Sequence, residues 1–514
     1  MQTDSYDIII IGSGAGGGTL AQALRGTSAR VLLLERGDFV PQEPENADPD
    51  AVWRDLRYRA DERWLDGHDK VFRPYTHYCV GGNTKFWGAV LYRFREEDFG
   101  ALTHVDGVSP AWPISYTDLA PYYERAERIY QVRGDSGDDA TEPPRGPFPH
   151  PPVPHQGKTA GLVEGLRQQG LHPTPLPLGL LRPGEPGGCE LCQTCNSFPC
   201  KVRSKSDADI CCVGPATDGA SNVELWTEAY ARRLETDSTG RQIVAVVVEK
   251  DGQERRLTAT TFVVSCGAVN SAALLLRSGN GRHPDGLANG SGLVGTRYMA
   301  HIATMISAVK LGEYNNVSFQ KTVAINDFYL KGRDVDYPLG QIQSQGHIHP
   351  IMIQMAAPAE YQPLAISIPQ WFYRLAWTSW STEWLAMTED LPHDENRVTL
   401  TEKGHIRLTY HQSNQVAHQK LLDEVDRMLK GLGHHFIKPV SLGVGNTTHQ
   451  CGTVVFGEDP AASVLDPYCK AHEVENLYVV DASFFPSSAA VNPGLTIAAQ
   501  ALRVADHLKA RHSL

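Results

Sequence analysis

The sequence predicts an α/β protein in which a Rossmann-like domain, discontinuous along the chain, is joined to a second, α+β domain built on an antiparallel sheet. Three observations predict it. An apolar run from Ile8 to Ile11 leads into Gly12, Gly14 and Gly17, then an amphipathic helix, then a second apolar run over 31–34; this is the order of a parallel βαβ unit. Strand, glycine-containing turn and helix recur in FVVSCGAVNSAALLLRSG. From about 293 to 439 the chain is richer in Tyr, Gln, His and β-branched residues, as in IATMISAVKL and GQIQSQGHIHPIMIQM, which predicts antiparallel strands with some helices.

Taken in order, the first strand covers 8–11, the helix starts near Thr19 and runs to Leu24, and the second strand, 31–34, ends at Glu35. The stretch from Asp135 to His155 is crowded with Pro, Gly and acidic residues. It predicts a loop or arm, because Pro removes a backbone donor from any element interior. RQIVAVVVEK and RRLTATTFVVSCG flank Asp251-Gly252, the pattern of a hairpin. Near the C-terminus NLYVVDASFF reads as a strand between HQCGT and VNPGLTIAAQALRVADHL.

The 514 residues suffice for two domains. A net charge of −12, from 47 basic and 59 acidic residues, repels phosphate backbones and anionic lipid, so neither nucleic acid nor a membrane is an expected partner. No apolar run approaches the roughly 20 residues that cross a bilayer. The opening MQTDSYDIIIIG lacks the regions of a signal peptide, and a cytoplasmic protein is expected. Cys189, Cys192, Cys195 and Cys200 are spaced C-x2-C-x2-C-x4-C, which matches neither a zinc-finger pair nor a ferredoxin run. Reduced thiols packing an irregular loop are the favoured reading, with no metal assigned.

Gly12, Gly14 and Gly17 sit between strand and helix, where they give a tight turn, admit a pyrophosphate and let the helix pack closely. Glu35 ends the second strand, placed to accept hydrogen bonds from a ribose. Gly81, Gly82, Asn83 and Thr84 form a second backbone-rich loop, and two such loops suit one extended dinucleotide. His449 has the pKa range of a proton acceptor in alcohol oxidation. Asn492 stands before Pro493 at a helix start, where unpaired N–H groups and the helix dipole favour an anion; it reads as an amide that fixes an alcohol oxygen, a role compatible with capping.

The set GSGAGGG, VGGNTKFWG, EDLPHDENRVTL, HQCGT, NLYVVDASFFP and NPGLTIAAQALRVADHL resembles, in family order from end to end, the glucose–methanol–choline (GMC) family of FAD oxidoreductases. CNSFPCKVRSKSDAD, with His449 and Asn492 in place of two histidines, is most similar to bacterial pyranose oxidases and glycoside 3-oxidases. The resemblance implies an FAD-binding domain over 1–100, 201–292 and 441–514, an insertion over 101–200 and a substrate-binding domain over 293–440. It implies His449 and Asn492 as the catalytic pair, Asp481 as a cofactor anchor, and Ala15, Arg36, Ala482, Pro493 and Thr496 as further cofactor contacts. Phe86 stands where fungal pyranose oxidases carry a flavin-linked histidine, which implies FAD held without a covalent bond.

The expected reaction is oxidation of a secondary hydroxyl of a pyranose or glycoside, at C2 or C3, to a keto-sugar, with oxygen or another acceptor reoxidising the flavin. The rivals are a sugar dehydrogenase passing electrons to a quinone or protein, and a lyase on the same scaffold. Two weaker features complete the sequence. His347 and His349 alternate as on one face of a strand, a spacing that could bind metal or substrate, and are read as polar side chains on a surface strand; the aromatic run Trp371 to Trp384 is read as core packing with a substrate-side wall as alternative. The Pro-rich arm is read as a contact in a homo-oligomer or a lid over the site.

Overall fold

The computed structural model describes residues 5–137, 139–219, 221–358 and 360–514. The first unit is β1 (Ser5–Ile11), α1 (Ala15–Leu24) and β2 (Val31–Leu34), with β1 and β2 parallel in the register Ile8↔Val31 to Ile11↔Leu34. Both strands are apolar because residues 8–11 and 31–34 are buried on both faces of the sheet. The helix begins four residues earlier than expected. Gly16, Gly17 and Gly18 are poor helix formers, yet they allow α1 to lie against the sheet: a Cβ on Gly16 would stand 1.8 Å from the Val480 carbonyl oxygen, and one on Gly17 1.9 Å from that of Gly12.

Helix α2 (Tyr116–Ile129) packs on the C-terminal helix, its start capped by Ser115 and Asp118. The first sheet gains β3 (Val223–Trp226), β4 (Tyr230–Thr236), β5 (Ile243–Lys250) and β6 (Gln253–Val264), in the order β3-β2-β1-β6-β5-β4. β5 and β6 are the expected hairpin, with Asp251 and Gly252 at φ +54° and +70°, both positive as a two-residue turn of this kind requires. The inner half of β6 runs parallel to β1, Ile8↔Thr261 to Ile11↔Val264. Gly267, at φ +85°, then turns the chain into α3 (Ala268–Arg277).

The second sheet is antiparallel throughout. Its strands are β7 (Ile302–Val309), β8 (Val323–Ile325), β9 (Gln341–Ser344), β10 (Ser381–Thr388) and β11 (Phe436–Ser441), ordered β11-β7-β10-β9-β8, with Thr174–Pro175 beyond β8. Helix α4 (Gln415–Gly431) covers one face, its Leu421, Val425, Met428 and Leu429 packing with Ile306, Ile342, Trp384 and Ala386. The alternate residues Met305, Ser307, Gln343, Glu383 and Leu385 turn to the other face and line a cavity, as the two-residue period of a strand dictates. The chain then returns to the first sheet as β12 (Leu477–Val479), parallel to β6, and ends in α5 (Gly494–His512). Among the described residues no helix is long and apolar enough to cross a membrane.

Three sequence expectations are corrected. NLYVVDASFF is strand only over Leu477–Val479, because Asp481 caps a one-turn helix, Ala482–Phe484, through Ser483 N–H at 2.8 Å. His347 and His349 are not on a strand: β9 ends at Ser344, and His349 is the extended residue before Pro350 opens a short helix. The aromatic run divides: Trp384 is in the core, Trp371 is exposed, and Phe372, Tyr373 and Trp377 line the cavity, in keeping with the alternative of a wall on the substrate side.

None of the described residues of the Pro-rich arm lines the cavity, which speaks against the lid reading. The arm is fastened instead by buried ion pairs: Arg95 to Asp139 (2.8 Å) and Glu142 (3.1 Å), and Arg145 to Glu127 (2.9 Å), which also holds Arg93 (2.8 Å). Removing one partner of such a network strands the others without compensation, so Arg95→Met is expected to destabilise the fold by about 3–5 kcal/mol. A chemical denaturation midpoint matching the wild type would contradict this.

Candidate active site

One large cavity, about 1170 Å³, runs from the glycine loop at the C-terminal end of β1 to the polar face of the antiparallel sheet. It exceeds the roughly 300–1,000 Å³ of a pocket for a single small ligand, and a dinucleotide together with a substrate accounts for the surplus. Gly12, Gly14, Ala15, Glu35, Arg36, Gly82, Asn83, Thr84, Asp481, Ala482, Asn492, Pro493 and His449 all line it.

Gly12 needs its φ of +105°, and a Cβ there would meet the Ser265 carbonyl oxygen at 2.2 Å; Gly14 in contrast has nothing within 4 Å, so its missing side chain is cavity space. That open notch at the N-terminus of α1 is where backbone can approach a pyrophosphate. Glu35 accepts from Ser13 N–H (3.1 Å), Ser13 O–H (2.5 Å) and Gly37 N–H (3.1 Å), and burial raises its pKa. Arg36 is clasped between the rings of Tyr78 and Tyr230 and paired with Glu62 at 3.0 Å. Asp481 accepts from Gly267 N–H (3.0 Å) and Ser271 O–H (2.5 Å), so it ties the turn before α3 to the end of β12.

Three of the expected cofactor residues do not line the cavity. Gly17 serves helix packing, as above. Gly81 donates its N–H to Ser13 Oγ at 3.0 Å, locking the two glycine loops together. Thr496 bonds the Tyr123 hydroxyl at 2.7 Å and fastens α5 to α2. The wall positions of these segments are taken by Gly16, Gly494 and Ile497.

At the inner end, the side-chain amide oxygen of Asn492 (Oδ1) is buried and has no hydrogen-bond partner among the described residues. A buried acceptor left open in a cavity wall calls for a ligand donor. His449 is also in this wall. Its Nδ1 lies 2.8 Å from Nδ1 of His301, and burial, helped by His301, pushes its pKa well below the ordinary value. The ring is therefore a neutral acceptor at neutral pH.

The sequence reading missed His301, Trp87, Lys321, Gln343, Gln345 and Glu383. Gln343 and Glu383 were legible as alternating polar positions on strands whose other face is apolar, and Gln345 continues the alternation just past the end of β9. The cysteine block supplies wall residues rather than ligands: Asn196 accepts from Lys321 Nζ at 2.8 Å and donates to Gln345. All ten cysteines are free, and among the described residues no group of three or more His, Cys, Asp or Glu is placed to hold a metal. His347 also lines the cavity, its Nε2 2.6 Å from the Val317 carbonyl oxygen.

Among the described residues, Lys321 and Glu383 are buried in the wall without an oppositely charged partner within ion-pair distance, as are Glu35 and Asp481; burial is the chief cause that pushes Lys321 down to about 8 and Glu383 up to about 7. Glu383 is met by Ser381 (2.5 Å), Ser307 (3.3 Å) and Gln320, all neutral. A folded pKa above the usual 4.5 means a contribution to stability that is complete below about 4.5 and is lost as pH rises through about 7. Glu383→Gln is thus expected to flatten the fall of Tm between pH 5 and 8, measured by calorimetry beside the wild type. Parallel profiles for the two proteins would refute it.

A parallel sheet with a glycine-rich turn, an antiparallel sheet, and a cavity between them whose wall includes His449 and Asn492 fit a flavin-dependent alcohol oxidoreductase. GMC oxidoreductase family models match residues 392–501 and 78–303. Over 98% of this chain and 92% of its own length, 6'''-hydroxyparomomycin C oxidase of Streptomyces lividus is 31% identical. Paromamine 6'-oxidase of Streptomyces fradiae is 31% identical over 99% of this chain and 93% of its own, and the fructose dehydrogenase large subunit of Gluconobacter japonicus 26% identical over 98% of this chain and 98% of its own. Among solved structures, pyridoxine 4-oxidase from Mesorbium loti superposes with a TM-score of 0.70 at 19% identity, covering 98% of each chain; at that identity it supports the fold. The chain belongs to the GMC oxidoreductase family and is an FAD-dependent enzyme acting on CH–OH donors.

Proposed function

We propose that the enzyme oxidises a secondary hydroxyl of a pyranose sugar or glycoside, at C2 or C3, to a ketone, with FAD held non-covalently and oxygen as the electron acceptor. The observation that carries this reading is the pairing of His449, neutral in the cavity wall, with the unpartnered Asn492 amide. The polar face of Gln343, Gln345, Ser307 and Glu383 opposite the glycine loop suits a ligand rich in hydroxyls. Two of the relatives are named for amino-sugar compounds and a third for fructose, which supports a sugar-like substrate.

The open notch at Gly14 and the loop over Gly82, Asn83 and Thr84 fit the cofactor, and these residues with Glu35, Arg36 and Ala482 would hold it. Asp481 shapes that site by tying Gly267 and Ser271. When bound, FAD supplies the hydride acceptor. His449 takes the hydroxyl proton at its free ring nitrogen, and Asn492 holds the alcohol oxygen by donating from its amide Nδ2–H, so that the C–H bond stays in a fixed orientation. The N-terminus of α5, directly after Pro493, favours negative charge at the inner end of the cavity. In domain terms, 1–100, 201–292 and 441–514 form the cofactor domain, 101–200 the insertion and 293–440 the substrate domain.

Anaerobic mixing with a panel of monosaccharides, O-glycosides and C-glycosides tests the reaction by bleaching of the flavin band, with product NMR locating the ketone. Re-admission of oxygen should then return the colour with one peroxide per turnover. Bleaching without peroxide but with rapid dye reduction would replace the oxidase by a dehydrogenase. Failure of every sugar to bleach the flavin would overturn the reading.

A further inference from the structure

We propose that His301 is a positioning residue that selects the working tautomer of His449, leaving Nε2 of His449 as the bare nitrogen that accepts the substrate proton. The inference rests on His449 being the base.

Backbone register brings the two rings together. Met299 and Cys451 exchange both backbone hydrogen bonds, at 3.0 and 2.9 Å, as an antiparallel bridge. Two residues onward from Met299 and two back from Cys451 stand on the same side of such a bridge, and these are His301 and His449. Their rings meet edge to face, 79° apart with centroids at 4.8 Å, and the two Nδ1 atoms are 2.8 Å apart.

Donor and acceptor counting then fixes the protons. His301 Nε2 lies 3.2 Å from the Ser488 carbonyl oxygen, which can only accept, so Nε2 carries a hydrogen. Burial depresses the pKa of His301, so the ring is neutral and its one proton is already placed. Its Nδ1 is therefore a lone pair. Two lone pairs do not bond at 2.8 Å; His449 must donate from Nδ1, and a neutral His449 then has no proton on Nε2. No described residue hydrogen-bonds that Nε2. The opposite tautomer would turn an N–H toward the substrate hydroxyl and leave it without an acceptor.

The anchor of this arrangement is shared with Asn492. Ser488, four residues before it, bonds the Asp390 backbone in both directions, its Oγ donating at 3.0 Å and accepting at 3.1 Å. His301 thus joins the segment carrying the base to the segment carrying the amide.

The test compares His301→Leu, which removes the acceptor, with His301→Asn, whose amide oxygen falls near the place of Nδ1. Protein labelled with 15N-histidine reports tautomers through two-bond 1H–15N correlations, the His449 signals being those lost in His449→Ala. The wild type and His301→Asn should show the Nδ1–H form, and His301→Leu a mixture or the Nε2–H form. In flavin reduction by the fastest sugar of the panel above, His301→Leu should lose about 100-fold in rate with little change in KM, and His301→Asn should recover most of it. An Nε2–H wild type, or Asn as slow as Leu, would overturn the proposal. Should no sugar reduce the flavin, the proposed reaction fails while the spectrum still decides this one.

Discussion

His449→Ala is expected to slow anaerobic flavin reduction by about 10²–10⁴-fold, the usual contribution of a positioned general base, while FAD content and melting temperature stay near wild type. The protein can spare the side chain structurally, because its only hydrogen bond among the described residues is to His301. The backbone of its segment is held independently by the Met299–Cys451 bridge and by Gly452 N–H on the Ala482 carbonyl. The pH dependence of the wild type adds a second check. Burial lowers the pKa of His449 well below 6.5, and a base is competent above its own pKa, so the acid limb of the reductive rate should fall below pH 6.5 rather than at it. An acid limb at or above 6.5, or a variant retaining more than a tenth of the rate, would place the proton acceptor elsewhere.

Much of this geometry was readable before any coordinates, for reasons specific to residue type. A left-handed turn and a close helix approach admit only glycine, so the loop between β1 and α1 announced itself. Gly17 packs the helix against the turn, as the third glycine of the motif implies, with a Cβ there falling 1.9 Å from the Gly12 carbonyl oxygen. Gly81 and Thr496 are seen bonding the protein itself, Ser13 Oγ and the Tyr123 hydroxyl; residue type alone does not separate such uses from contact with a ligand. His301 was invisible because it acts across 148 positions of sequence, through a register set by one antiparallel bridge. His347 and His349 misled in the opposite direction, since H-x-H before a proline fits a strand end and a helix start equally well.

The second large effect separates fold from ligand at two glycines two residues apart. Gly14→Val places a Cβ where nothing lies within 4 Å, on backbone whose φ of −69° is outside the left-handed region that favours glycine. The protein should fold with a melting temperature near that of the wild-type apoprotein. Its FAD dissociation constant should nevertheless rise on the order of 100-fold, a loss of about 3 kcal/mol, because the new methyl groups fill the notch that backbone must leave for a pyrophosphate. Gly16→Val should fail earlier. Its Cβ would lie 1.8 Å from the Val480 carbonyl oxygen and 2.7 Å from Ser265 Oγ, and Ser265 Oγ is itself bonded to that carbonyl at 2.7 Å. Helix α1 would have to withdraw from the sheet, an overpacking cost of at least about 1–3 kcal/mol before the broken bond is counted. Apoprotein melting and FAD titration, run on both variants, discriminate the two causes: equal apoprotein stability for both would mean that Gly16 does not set the helix-to-sheet distance, and unchanged FAD affinity in Gly14→Val would mean that the cofactor does not use the notch.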